Sequence, residues 1–101
     1  MAISTNLDSA SKTLSISVTG RFDFGVHQDF RRATDEAGSD INSIVVDMSE
    51  VDYLDSSALG MLLVLRDKVG EKQSAVQIKG AKPEVKKILE IANFDKLFTL
   101  V

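Results

Sequence analysis

No cysteine occurs in these 101 residues, and there is a single histidine. The first absence excludes disulfides and thiolate metal sites and agrees with a reducing compartment. The second leaves zinc without its usual ligands, and a Ser-His-Asp relay would have to recruit His27 from the first turn of a helix. His27 reads instead as a partly exposed helix-surface residue. Ser56 and Ser57 follow Leu54-Asp55 rather than sitting in a Gly-x-Ser-x-Gly elbow, and the chain has no Gly-x4-Gly-Lys-Ser/Thr loop. These gaps point away from an enzyme and toward a binding module. No cofactor is expected, and any ATP involved would be bound by a partner.

Long apolar runs are missing too. The longest, Ala58 to Leu65, is far short of the roughly 20 residues that span a bilayer, so no membrane insertion is expected. The start Met1-Ala2-Ile3-Ser4-Thr5 has neither the basic nor the apolar part of a secretory signal, which leads us to expect a cytoplasmic protein. Positive charge is scarce: the first fifty residues hold four basic against eight acidic residues and the rest eight against seven, for a net −3. A chain of this balance gives no default case for nucleic acid. Lys79, Lys82, Lys86 and Lys87 form the one basic cluster and read as a solvated face.

What remains is an ordinary globular composition, 44% hydrophobic and 27% charged, in a length that suits one domain. Leu14, Ile16 and Val18 alternate with Ser15, Ser17 and Thr19, the period of a strand with one face on a core. Residues 3–7 pair with it as an opening hairpin, and Gly20 is expected to end it. Val26, Phe30, Ala33 and Ala37 then fall at helical spacing, giving a helix at about 24–37 with Asp23 as a cap and Gly38 as a stop. The run 44–48 is a central strand, residues 57–69 a second helix ended by Gly70, and Val76 and Ile78 mark another strand. Pro83 opens a third helix with Val85, Ile88, Leu89 and Ala92 on its core stripe, Asn93 takes the left-handed terminating conformation, and 97–101 close as a strand. The order ββαβαβαβ requires crossovers, so an α/β layer fold with a mixed sheet of four to five strands follows from pattern.

The densest information lies in Tyr53-Leu54-Asp55-Ser56-Ser57-Ala58-Leu59-Gly60-Met61-Leu62-Leu63. Two hydroxyls and a carboxylate stand between a buried strand and an apolar helix, where backbone N–H groups lack intrahelical partners. Asp52 and Asp55 are placed on that connection, where a helix N-terminus favours negative charge. The helix is apolar most of the way round: Ala58, Leu62, Leu65 and Val69 share one stripe, with Gly60, Leu63, Val64 and Asp67 toward the other side. Either it is sandwiched deeply, or Leu59, Leu63 and Val64 form a docking face for a partner.

Gly20-Arg21-Phe22-Asp23, the run Ile44 to Gly60, Pro83-Glu84-Val85-Lys86-Lys87-Ile88-Leu89 and Phe94-Asp95-Lys96-Leu97-Phe98 together resemble the STAS domain family, in the form of its bacterial anti-sigma factor antagonists. The likeness spans nearly the whole chain, with Ala58 standing where many members have glycine. It implies a single STAS domain over 1–101 that binds and does no chemistry. The serine directly after the aspartate is the family's phosphoacceptor, which carries over to Ser56, expected at the cap with its hydroxyl projecting outward while Ser57 lies one residue further in. Asp23, Asp55, Ser57 and Gly60 join Leu59, Leu63 and Val64 as implied partner-binding residues. The implied partners are an anti-sigma factor or switch-protein serine kinase, bound when Ser56 is unmodified, and a PP2C-like phosphatase that reverses phosphorylation. Residues 20–31 and 53–67 look most like the proteobacterial subgroup tied to response regulators with phosphatase and kinase domains, whose outputs are flagellar or biofilm control. The rival is a STAS structural subunit of a lipid-transport or other membrane-associated complex.

Overall fold

Alternation along the strands sets the layers. In the computed structural model, which describes residues 2–36, 41–69 and 76–101, β1 (Ile3–Asp8) pairs antiparallel with β2 (Thr13–Phe22). Three parallel pairings then join β2 to β3 (Ser43–Leu54), β3 to β4 (Val76–Lys79) and β4 to β5 (Thr99–Leu100). Leu14, Ile44 and Val76 lie side by side in register, as do Ile16, Val46 and Ile78, and all six are buried. Their neighbours Ser15, Val45 and Gln77 stay partly exposed on the opposite face.

The strand order β1-β2-β3-β4-β5 never reverses. Right-handed crossovers that always step in one direction lay their helices on the same face, so among the described residues the helices cover one face of the sheet. The crossover helices are α1 (His27–Asp35), α2 (Ser56–Lys68) and α3 (Pro83–Ile91). They bury Phe30, Ala33 and Thr34; Ala58, Met61, Leu62 and Leu65; and Val85 and Leu89. Thr34, the one buried polar residue among those described, donates its hydroxyl to the Phe30 carbonyl at 2.9 Å, so its burial leaves no polar atom unsatisfied. Phe22 packs on Phe30 with ring centroids 5.1 Å apart, joining the end of β2 to α1.

Several boundaries differ from the expectations, each for a physical reason. β2 does not stop at Gly20, whose φ of +78° lets the chain bend and continue to Phe22. β3 runs past residue 48 to Leu54. Its pairing with β2 slips between Ser17 and Thr19 and again between Gly20 and Arg21, and each slip adds one residue to β3. Those bulges shift the phase of the alternation so that Val51 and Leu54 return to the core, which hides the strand from a strict period-two reading. Asp52 accordingly lies within β3 and not on the connection; its carboxylate holds Lys82 of the basic cluster. The first helix begins at His27 after a 3-10 turn, Phe24–Val26, and another 3-10 turn, Phe94–Lys96, shortens the last strand to Thr99–Leu100. Ile88 points outward, 40% exposed, rather than into the core stripe. Pro83 stands at the start of α3 and Asn93 adopts φ +63°, both as expected. The stops assigned to Gly38 and Gly70 lie outside the described residues.

Candidate functional site

β2 and β3 end together. Phe22 and Leu54 are register partners, and the Asp55 amide donates to the Phe22 carbonyl at 3.3 Å, which sets Asp23 and Asp55 side by side at the same edge of the molecule. Each carboxylate is spent on the turn that follows it. Asp23 Oδ1 accepts from the Gly25 amide at 2.9 Å and starts the 3-10 turn; Asp55 Oδ1 accepts from the Ala58 amide at 3.0 Å and caps α2.

The cap of α2 is therefore Asp55 and not Ser56. Ser56 is the first helical residue and exposed, while Ser57 is half-buried one position further in. An aspartate cap accepts the amide of the third residue on, so the serine hydroxyl is not needed for the helix start. It is left to solvent beside backbone N–H groups and the positive end of the helix dipole, a place where an anion is tolerated.

Helical spacing carries this exposed strip onward. Ser56, Gly60, Leu63, Val64 and Asp67 fall at i, i+4, i+7, i+8 and i+11 and share one face. Leu63 is 39% and Val64 65% exposed, whereas Leu59, at the margin, packs partly against the core. The helix is therefore not fully sandwiched: one side is buried, and the other is an exposed strip that starts at Ser56 and carries Leu63 and Val64.

Beside this strip α1 and α2 leave an open groove of about 630 Å³, lined by Phe24, Phe30, Ser57, Gly60, Met61 and Val64 among others. Phe24, 67% exposed, stacks on His27 with centroids 5.3 Å apart and forms its outer wall. His27 is thus a partly exposed residue near the start of α1, as its sequence context suggests. The structure brings Asp23, Asp55, Ser56, Ser57, Gly60, Leu63 and Val64 to one edge and puts Leu59 at its margin.

Three residues of this edge were missed from sequence. Arg21 and Tyr53 are register partners on the face opposite the core; the guanidinium lies 4.1 Å from the Tyr53 ring centroid and its Nε donates to Asp23 Oδ2 at 3.2 Å. Phe24 is the third. Arg21 stands at the variable position of Gly20-Arg21-Phe22-Asp23, and an exposed aromatic two residues after a strand offers no periodic signal, so only the placement of both segments reveals the cluster.

Comparison with known proteins agrees with this architecture. The family model described as "Mlab, STAS domain" matches residues 5–101. A STAS-domain containing protein of Pseudomonas aeruginosa is 46% identical over 100 residues, covering 99% of both chains. Among solved structures, an anti-sigma factor antagonist from Mycobacterium paratuberculosis superposes with a TM-score of 0.79 at 24% identity, over 97% of this chain and 84% of that one. The anti-sigma factor antagonist SpoIIAA superposes in its unphosphorylated form with a TM-score of 0.71 at 16% identity over 94% of this chain and 96% of that one. The phosphorylated form of SpoIIAA, from Bacillus, gives 0.68 at 13% identity over 99% and 91%. With the family model matching nearly the whole of this chain and a relative this similar, the chain belongs to the STAS domain family.

Proposed function

We propose that this protein is an anti-sigma factor antagonist that works as a phosphorylation-controlled binding switch. Unmodified, it sequesters an anti-sigma factor or switch-protein kinase and frees that protein's other client. Phosphorylated on Ser56 by a serine kinase, it lets go, and a PP2C-like phosphatase restores binding. Its output is the flagellar or biofilm control of the subgroup it resembles. The domain contributes a surface and an acceptor hydroxyl, and does no chemistry of its own.

One observation carries the reading: the exposed serine and the exposed apolar residues occupy the same face of α2. A phosphate on Ser56 brings about −1.5 to −2 charges to the edge of that face, next to Asp23 and Asp55. The helix start tolerates the anion, so the fold survives. A partner seated on Leu63 and Val64 would have to desolvate it beside two carboxylates, which weakens binding without a large conformational change. SpoIIAA, similar in fold, is a protein with phosphorylated and unphosphorylated forms.

Phosphopeptide mapping of protein recovered from its native cell tests the assignment, together with partner capture by the wild type, Ser56→Ala and Ser56→Glu chains. Expected are phosphate on Ser56, capture by wild type and Ser56→Ala, and weak capture by Ser56→Glu. Phosphate mapped to Ser57, or equal capture by all three chains, would overturn it.

A further inference from the structure

We infer that Arg21 is the internal receptor for the phosphate on Ser56, an inference that rests on Ser56 being the phosphoacceptor. Phe22 and Leu54, the register partners between Arg21 and the turn, are buried, so Arg21 and Tyr53, both exposed, project from the face opposite the core. Asp23 and Asp55 follow directly, and Ser56 comes next. Register thus puts the Arg21 guanidinium over Tyr53, three residues ahead of the acceptor serine on the neighbouring strand.

The hold on Arg21 is partial. Nε reaches one oxygen of Asp23, the side chain stays 65% exposed, and the two terminal guanidinium nitrogens make no hydrogen bond among the described residues. A planar guanidinium whose two terminal nitrogens are unengaged is suited to phosphate, which it binds through parallel hydrogen bonds that a lysine does not reproduce. Three of the other cations are committed to partners of their own, while Arg31 on α1 lines the groove with Ser57. Lys82 is held by Asp52, Lys68 by Asp35 at 2.8 Å, and Arg66 donates to the Leu97 carbonyl at 3.0 Å.

Phosphorylation raises the charge of the strand ends from two carboxylates to two carboxylates and a dianion, and Arg21 is the group placed to answer it. Asp23 can release Arg21 without losing its turn, because Oδ1 holds the Gly25 amide while Oδ2 holds the guanidinium. Moving Arg21 toward Ser56 uncovers Asp23 and the Tyr53 ring. The partner would then meet a surface changed at Arg21, Asp23 and Tyr53 as well as at Ser56.

The experiment uses the full chain with phosphoserine incorporated at position 56 during translation, so that no kinase is needed. The probe is the phosphorus NMR titration of that phosphoserine in the wild-type, Arg21→Gln, Arg21→Lys and Lys82→Gln chains, with thermal melts to show that each is folded. Phosphoserine ordinarily loses its second proton near pH 6, and a guanidinium in contact favours the dianion. The titration midpoint should lie lower in the wild type by about half a unit or more than in Arg21→Gln, with Arg21→Lys between them and Lys82→Gln matching the wild type. Equal midpoints in the wild type and Arg21→Gln, or a shift that follows Lys82, would overturn the inference. Absence of phosphate on Ser56 in the native cell would sink the switch reading and leave this titration to decide Arg21 by itself.

Discussion

Asp23 and Asp55 do the same job one strand apart: each follows the last residue of a strand, adopts an extended backbone and accepts a backbone amide of the turn it opens, at 2.9 Å and 3.0 Å. Register between Phe22 and Leu54 turns these two separate caps into one acidic edge. Capping accounts for both residue types, and the pairing gives the edge its charge beside Ser56.

Cap and charge separate by substitution at Asp55. Asparagine caps about as well as aspartate, so Asp55→Asn should melt near the wild type, whereas Asp55→Ala should lose about 1 kcal/mol. Partner affinity measured on the Asn variant then reports the carboxylate alone. A melt of Asp55→Asn as low as that of Asp55→Ala would show that the charge, and not the cap, supports the helix.

The two faces of α2 should respond in opposite ways. Leu63→Asp and Val64→Asp place a carboxylate in solvent, so both should fold and fail to capture the partner. Leu62→Asp puts the same group into the core, where an unpaired charge costs several kcal/mol and the domain should unfold. Circular dichroism melts and partner capture on the three chains check this; an unfolded Val64→Asp would refute the exposed face.

Two glycines make a contrasting pair. Gly80 sits at φ +73°, and a Cβ there would stand 3.0 Å from Ser49 Cβ, so Gly80→Ala should destabilise by about 1–2 kcal/mol. At Gly60, inside α2, a Cβ would meet nothing within 4 Å, so Gly60→Ala should stabilise by up to about 1 kcal/mol through helix propensity. Urea unfolding midpoints give both signs in one assay.

Acid should weaken the fold through Asp47. The Ser49 amide and then its hydroxyl, at 2.9 Å and 2.7 Å, hold this carboxyl below its ordinary value of 3.8. A depressed folded pKa means that the unfolded chain binds more protons, so the contribution is present above that ordinary value and is lost as pH falls through the folded one. Melting temperatures should drop below about pH 4 and drop less steeply in Asp47→Asn. An identical acid slope in both chains would exclude Asp47 from the effect.

Sequence by itself determined the elements whose signal is local. Period-two apolar residues at Leu14, Ile16 and Val18, the helical stripe Ala58, Leu62 and Leu65, Pro83 at a helix start and Asn93 at a helix end follow from backbone geometry that each segment carries alone, and they were legible before any contact was known. The motif around Asp55-Ser56 was legible for the same reason, since a short polar run between two apolar ones marks a helix start. Tertiary structure decided the rest. β3 passes residue 48 because bulges against β2 reset its alternation, and a bulge exists only where two strands are paired. Which side of an all-round apolar α2 stays in solvent depends on where the sheet and α1 stand. Arg21 joins Tyr53 and Asp23 at the ends of β2 and β3 because parallel pairing sets residues about thirty apart in the chain next to each other, a proximity that no local pattern encodes.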